Sequence, residues 1–246
     1  MIDHLGKGPA LAPAEAARQA GEAGGAEVAS GPFSGLGAEE FAALLCSRIC
    51  HDLISPVGAI GNGVELMREI EKGPEGTELQ LIARSAEMAS SYLQFLRIAF
   101  GAAPHSDPMG TAGVARTARG WFEFQRPELD WAPSQPEITR AAARLLFNFM
   151  QIGVSCLPRG GLVKAQTERE GEHGDLRLSL SAEGPTATPP PGAAAWLTGA
   201  AGEDPPAPRE VHYVAAAAHA RAAGARIAFA SDETSLALTT VLPADI

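Results

Sequence analysis

The chain has 246 residues, with 19 Lys plus Arg against 29 Asp plus Glu and a formal net charge of −10. That balance argues against a nucleic-acid-binding protein, which needs clustered cations to displace counterions from phosphate. Cys46, Cys50 and Cys156 are too few for a disulfide framework, no charged-then-apolar leader opens the sequence, and the most apolar run, 141–157, is short for a membrane span and broken by Arg144, Asn148 and Gln151. A cytoplasmic protein is expected, with no membrane and no nucleic-acid partner. Its length suits one large or two modest domains.

In chain order, residues 1–37 are rich in Ala, Gly, Glu and Pro. They carry too little apolar surface to offset the entropy of ordering, so a disordered tail is expected. From Ala38 to about Lys72 apolar residues recur at helical spacing: Phe41, Leu44, Leu45, Ile49, Leu53, Val57, Ile60, Val64 and Met67. Gly73-Pro74 should stop this helix and start a second, Glu75–Phe100. Together they form an αα-hairpin over residues 38–103. A lone hairpin leaves its apolar stripe half covered. A second copy completing a four-helix bundle is therefore expected, with packing onto the chain's own second half as the alternative.

After a linker at Pro104–Pro108, residues 109–246 read as a mixed domain. Met109–Glu123 and Glu137–Leu157 are expected helices, the second ended by Pro158 and Gly160-Gly161. Glu128–Ala132, Leu162–Glu168 and Asp175–Ala182 are expected strands. A Pro-rich stretch follows, broken by a short helical piece at Ala193–Leu197. A helix at Val211–Ala223 and a hairpin of Arg226–Ala230 with Ser235–Leu242 close the chain. Helices on one face of a largely antiparallel sheet make this half α+β.

Within the first helix lies Cys50-His51-Asp52-Leu53-Ile54-Ser55-Pro56. At about 100° per residue His51 points away from the Ile49 and Leu53 stripe and should face solvent. Its helical neighbours are Ser47, Arg48, Ile54 and Ser55, with Gly58 two turns on, so a partner can approach closely. A neutral imidazole nitrogen attacks phosphorus well, and His is largely neutral at cytoplasmic pH. Asp52 can accept a hydrogen bond from the other ring nitrogen and fix the tautomer. Pro56 cannot donate to the carbonyl of Asp52, so a bend past the histidine is expected.

His51, Asp52, Ser55 and Pro56 resemble the H-box of sensor histidine kinases, and the hairpin then resembles their dimerisation and phosphotransfer domain. Residues 109–246 resemble the GHKL ATP-binding domain in element order but depart from it at the ligand. Asn148 matches one N-box asparagine, and a buried amide would explain it as well. The second, metal-holding asparagine is replaced by Ile152. Ala182-Glu183-Gly184-Pro185 stands where an adenine-contacting motif should be, and Pro205-Pro206-Ala207-Pro208-Arg209 where a glycine-rich lid should be. Phosphoryl transfer from ATP needs a magnesium site and backbone amides around the phosphates, and neither is visible.

An H-box followed by a degenerate ATP domain, with Asp130-Trp131 and Leu157-Pro158-Arg159-Gly160-Gly161, resembles the ChpT-type histidine phosphotransferases of alphaproteobacteria. The resemblance covers residues 38–246. It implies a homodimer that carries phosphate through His51, aided by Asp52, between a hybrid kinase's receiver domain and response regulators of the CtrA and CpdR type. It implies no cofactor of the chain's own, the Mg²⁺ coming with the partner receiver. Ser47, Arg48, Ile54, Ser55 and Gly58 are expected to contact that partner. The competing readings are an active sensor-type histidine kinase and a metal or redox sensor built on Cys46, Cys50 and His51, whose i, i+4 thiols share a helical face.

Overall fold

In the computed structural model, which describes residues 36–69, 76–102, 107–199 and 205–244, the apolar periodicity produces two long helices, α1 (Ala38–Glu69) and α2 (Gly76–Phe100). The Gly73-Pro74 turn and the tail up to residue 35 lie outside the described residues. Helix α1 continues through Pro56. That residue brings no N–H, so the carbonyl of Asp52 lacks its usual helical donor. Near the far end of the hairpin the helices run close together: a Cβ at Gly63 would lie 2.6 Å from Ile82 Cγ1.

The remaining elements are β1 (Pro108–Gly110), α3 (Thr111–Phe122), β2 (Glu128–Trp131), β3 (Glu137–Thr139), α4 (Arg140–Cys156), β4 (Leu162–Glu170), β5 (Asp175–Glu183), α5 (Ala193–Thr198), a 3-10 turn at Pro208–Glu210, α6 (Val211–Ala222), β6 (Ala228–Ser231) and β7 (Ser235–Leu242). Five strands form one sheet in the order β2-β4-β5-β7-β6. Only the β2–β4 pair is parallel, so the expected α+β architecture holds. Alternation decides which face is covered: Val163, Ala165 and Thr167 of β4 and Leu176, Leu178, Leu180 and Ala182 of β5 are buried.

The expected helices at 109–123 and 137–157 are each shorter at the start, because Pro108–Gly110 and Glu137–Thr139 pair as a small antiparallel ladder. The Thr139 hydroxyl accepts from the Ala142 amide at 3.3 Å, capping α4 and holding Thr139 itself extended. Thr111 N donates to Pro136 O and Arg140 N to Asp107 O, so the first amides of α3 and α4 bond to neighbouring segments.

The hairpin shares its core with the second half. Phe95 of α2 stacks on Trp121 at 4.1 Å between centroids and meets Phe147 at 4.4 Å. Ile98 and Ala99 join the same core, as does Leu36, which the sequence placed in the tail. The last carbonyls of α2 are taken up by α4. Asn148 Nδ2 donates to Ala99 O at 3.2 Å, and the Arg144 guanidinium donates to Gly101 O. A helix C-terminus carries unpaired carbonyls and partial negative charge, so an amide and a cation suit it.

Beyond α4 the chain turns through Gly160-Gly161 against the end of β5. Gly161 adopts φ +144, and a Cβ there would sit 2.2 Å from Glu183 O. Gly184 backs onto the carbonyl of Gly160 in the same way, at 2.5 Å. No side chain fits at Gly161, and its backbone conformation favours glycine. Gly161→Ala should therefore lower unfolding free energy by about 2–4 kcal/mol, adding backbone strain to overpacking. Urea unfolding monitored by circular dichroism measures this, and an unchanged midpoint would contradict the packing described.

Candidate functional site

Helix α1 positions His51 as its periodicity requires. Its imidazole is 86% exposed, while Asp52 beside it is 18% exposed. Asp52 divides its carboxylate between two partners. Oδ1 lies 3.3 Å from His51 Nδ1, and Oδ2 accepts from Arg48 Nε at 2.6 Å. A carboxylate can only accept, so this contact favours the tautomer that carries its proton on Nδ1 and turns the Nε2 lone pair to solvent. That is the form in which an imidazole attacks phosphorus.

Ser47, Ile54, Ser55 and Gly58 all lie exposed around the ring. At Gly58 even an added Cβ would meet nothing within 4 Å. Arg48 is oriented differently. Its side chain is only 17% exposed and runs sideways to the second half of the molecule, where its guanidinium donates to the carbonyl of Arg209 in the 3-10 turn. Sequence reasoning placed Arg48 on the docking face by helical geometry. The structure shows a residue held between Asp52 and Arg209.

Behind this contact lies a polar cluster that sequence reasoning did not single out. His212 of α6 is fully buried, its Nε2 3.3 Å from Ser155 Oγ at the end of α4, and its Nδ1 has no hydrogen-bond partner. Cys156 Sγ lies 3.0 Å from Tyr213 OH, and Trp196 meets the Tyr213 ring edge-on at 5.9 Å. No local signal marks these residues: His212 and Ser155 are 57 positions apart, and Arg48 and Arg209 are 161 apart. Burial pushes the Cys156 thiol up, so it stays protonated and inert. Cys46 and Cys50 are both exposed. Among the described residues no group of three or more His, Cys, Asp or Glu is placed to hold a metal ion.

Asn148 faces α2. Its amide nitrogen donates to Ala99 O and to Arg144 O at 2.9 Å, and Ile152, one turn on, is fully buried. The Ala182-Glu183-Gly184-Pro185 segment lies against Gly160 and bonds through Gly184 N to Thr234 O. The Pro-rich stretch that follows is tied down by Thr188 N donating to Cys156 O.

Residues 111–235 match the family described as histidine phosphotransferase C-terminal domain. The protein phosphotransferase ChpT of Brucella abortus (strain 2308) is 40% identical over 171 residues, which cover 69% of this chain and 80% of that protein. A solved structure described as that of a bacterial phosphotransferase is 35% identical, covers 83% of this chain and 97% of its own, and superposes with a TM-score of 0.71. These relatives define the class of protein, a phosphotransferase of two-component signalling. The chain belongs to the histidine phosphotransferase family.

One consequence of the buried cluster is measurable in solution. Burial first, and the nearby positive charge of Arg48 second, hold His212 well below the ordinary histidine value, so it is neutral in the folded protein. A depressed histidine costs stability once the unfolded chain begins to protonate. Folding should therefore weaken as pH falls through about 6.5, by up to about 1.4 kcal/mol per pH unit from this one group. His212→Gln should flatten that part of the curve. Thermal melts between pH 5 and 7.5 decide it, and equal slopes for both proteins would contradict the assignment.

Proposed function

We propose that His51 is the phosphoacceptor and that this chain passes phosphoryl groups between receiver-domain aspartates without using ATP. One observation carries the reading: the imidazole is open to solvent on its Nε2 edge while Asp52 holds Nδ1. In transfer, Nε2 attacks the phosphorus of an aspartyl phosphate in line. The Nε2–P bond forms as the P–O bond to the aspartate breaks, and the carboxylate leaves. The ring gains positive charge, which the Asp52 carboxylate offsets at close range. The receiver brings the Mg²⁺ that neutralises the phosphoryl oxygens, so the chain contributes a nucleophile and a face on which to dock. Ser47, Ile54, Ser55 and Gly58 form that face. The partners implied by the family resemblance are a hybrid kinase's receiver and regulators of the CtrA and CpdR type.

Independence from ATP is supported by where the kinase-like positions have gone. The Asn148 amide nitrogen is committed to Ala99 and Arg144, Ile152 brings no metal ligand, and Gly184 is packed against Gly160. The second half, residues 109–246, then acts as a structural descendant of a GHKL domain.

A second copy of this chain is the occupant we assign to the hairpin's outer face. All seven large apolar side chains that stand exposed among the described residues belong to it: Ile54, Val57, Val64, Leu66, Leu79, Leu81 and Leu93. Exposed apolar surface confined to one pair of elements in this way marks an interface. By length and composition Ala38–Met67 could also cross a membrane, with a mean hydropathy of 1.3. Arg48, His51 and Asp52 near its middle would be costly in hydrocarbon, and the helix rests on α2 and on the 3-10 turn. We read the hairpin as one half of a dimeric four-helix bundle in a cytoplasmic protein.

Incubation with a phosphorylated receiver domain, without ATP, should label the wild-type chain and not His51→Ala. Label on the substituted chain would refute the assignment. Mg-ATP alone should give no label, and labelling would restore the kinase reading. Light scattering should give twice the 25.5 kDa chain mass. Val57→Asp with Leu93→Asp should yield monomers, and a dimer that survives this pair would place the interface elsewhere.

A further inference from the structure

We infer that Arg48 is a positioning residue for phosphotransfer, and that through it the second half of the chain holds the phosphoacceptor histidine in its reactive form. The inference rests on His51 being the phosphoacceptor. It concerns how the ring is held and where Arg48 belongs.

Three contacts run in series. Arg209 O accepts from the terminal guanidinium nitrogen of Arg48, Arg48 Nε donates to Asp52 Oδ2 at 2.6 Å, and Asp52 Oδ1 faces His51 Nδ1 at 3.3 Å. A guanidinium presents several N–H donors in a fixed plane, so it can face a carboxylate with one edge and a carbonyl with another. Lysine, a single point of charge on a flexible stem, cannot span both in fixed geometry. The carboxylate is used the same way, one oxygen toward the cation and the other toward the ring. Without Arg48, Asp52 would be free to rotate toward water and its hold on Nδ1 would loosen.

The far anchor is a backbone carbonyl in a turn that is itself fastened. Ala207 N donates to Glu210 Oε2 at 2.9 Å and Glu210 N to Ala207 O at 2.8 Å. Val211 and His212, next in the chain, are buried. The turn stands where a kinase's lid would precede its last helix. Here the segment reaches back to the H-box instead, which gives the second half of the molecule a direct part in transfer. Arg48 touches neither the phosphoryl group nor the reacting nitrogen, so its effect passes through Asp52.

Positioning and docking are separated by a small donor that needs no docking. Potassium phosphoramidate can phosphorylate the chain directly: its N–P bond breaks, ammonia leaves, and the Nε2–P bond of His51 forms. We expect Arg48→Ala to slow labelling about tenfold both with phosphoramidate and with a phosphorylated receiver, as loss of an orienting outer contact does elsewhere. Arg48→Lys should fall between Arg48→Ala and wild type. Two-dimensional ¹H–¹⁵N spectra of the His51 ring should show wild type protonated at Nδ1 and Arg48→Ala as a mixture of tautomers. Hydrogen exchange at residues 208–211 should quicken in Arg48→Ala. A loss confined to the receiver reaction, with ring spectra unchanged, would overturn the inference and return Arg48 to the docking face. A fold defect would appear as a lowered melting temperature in Arg48→Ala, and then Arg48→Lys carries the comparison. Wild-type labelling by the receiver is the separate check on His51 itself.

Discussion

Everything at the phosphoacceptor depends on how the last turns of α2 are buried. Phe95, Ile98 and Ala99 lie in the same core as Trp121 and Phe147, and the carbonyls that end the helix are closed by Arg144 and Asn148. An apolar contact alone would let one element slide over another. Directional bonds to the helix terminus remove that freedom, because a displaced helix would strand buried carbonyls without donors. With α2 fixed, α1 is fixed against it, and Arg48 can meet the 3-10 turn at bonding distance. The geometry of the histidine is inherited from a junction some distance away.

The sequence was informative wherever the determining forces are local. Two long helices followed from the spacing of Leu44, Ile49, Leu53 and Ile60, and the exposure of His51 followed from its angle to that stripe. The alternating strands Leu162–Glu170 and Asp175–Glu183 were equally legible. What escaped was non-local. Glu137–Thr139 reads as the start of a helix until Pro108–Gly110 is placed beside it. The only internal hint was Thr139, a capping residue three positions before Ala142. Leu36 has no periodic neighbours to announce its burial. The sequence places Arg48 among the docking residues by helical geometry, but a long side chain on the border between two faces follows whichever acceptor lies within reach, and the Arg209 carbonyl it meets is 161 positions away.

Asn148 shows how one residue can look alike in sequence and differ in use. A lone asparagine in a buried helix fits either a ligand-holding role or an internal hydrogen bond. Its environment decides: the amide nitrogen caps α2, and the fully buried Ile152 stands one turn away. Three of the polar residues buried inside the second half, Arg144, Asn148 and His212, lie on elements that meet the hairpin.

The separation between Arg48 and Arg209 also bears on how the protein is made. Contacts so distant in sequence close late, because a large loop must be gathered before they contribute. The helix bearing His51 is synthesised early, yet the carbonyl that steadies its acid arrives only with residue 209. Until then a newly made chain carries a complete H-box without the clamp around it. Any fragment ending before the 3-10 turn would lack the carbonyl that steadies Arg48, leaving the imidazole free to choose either tautomer.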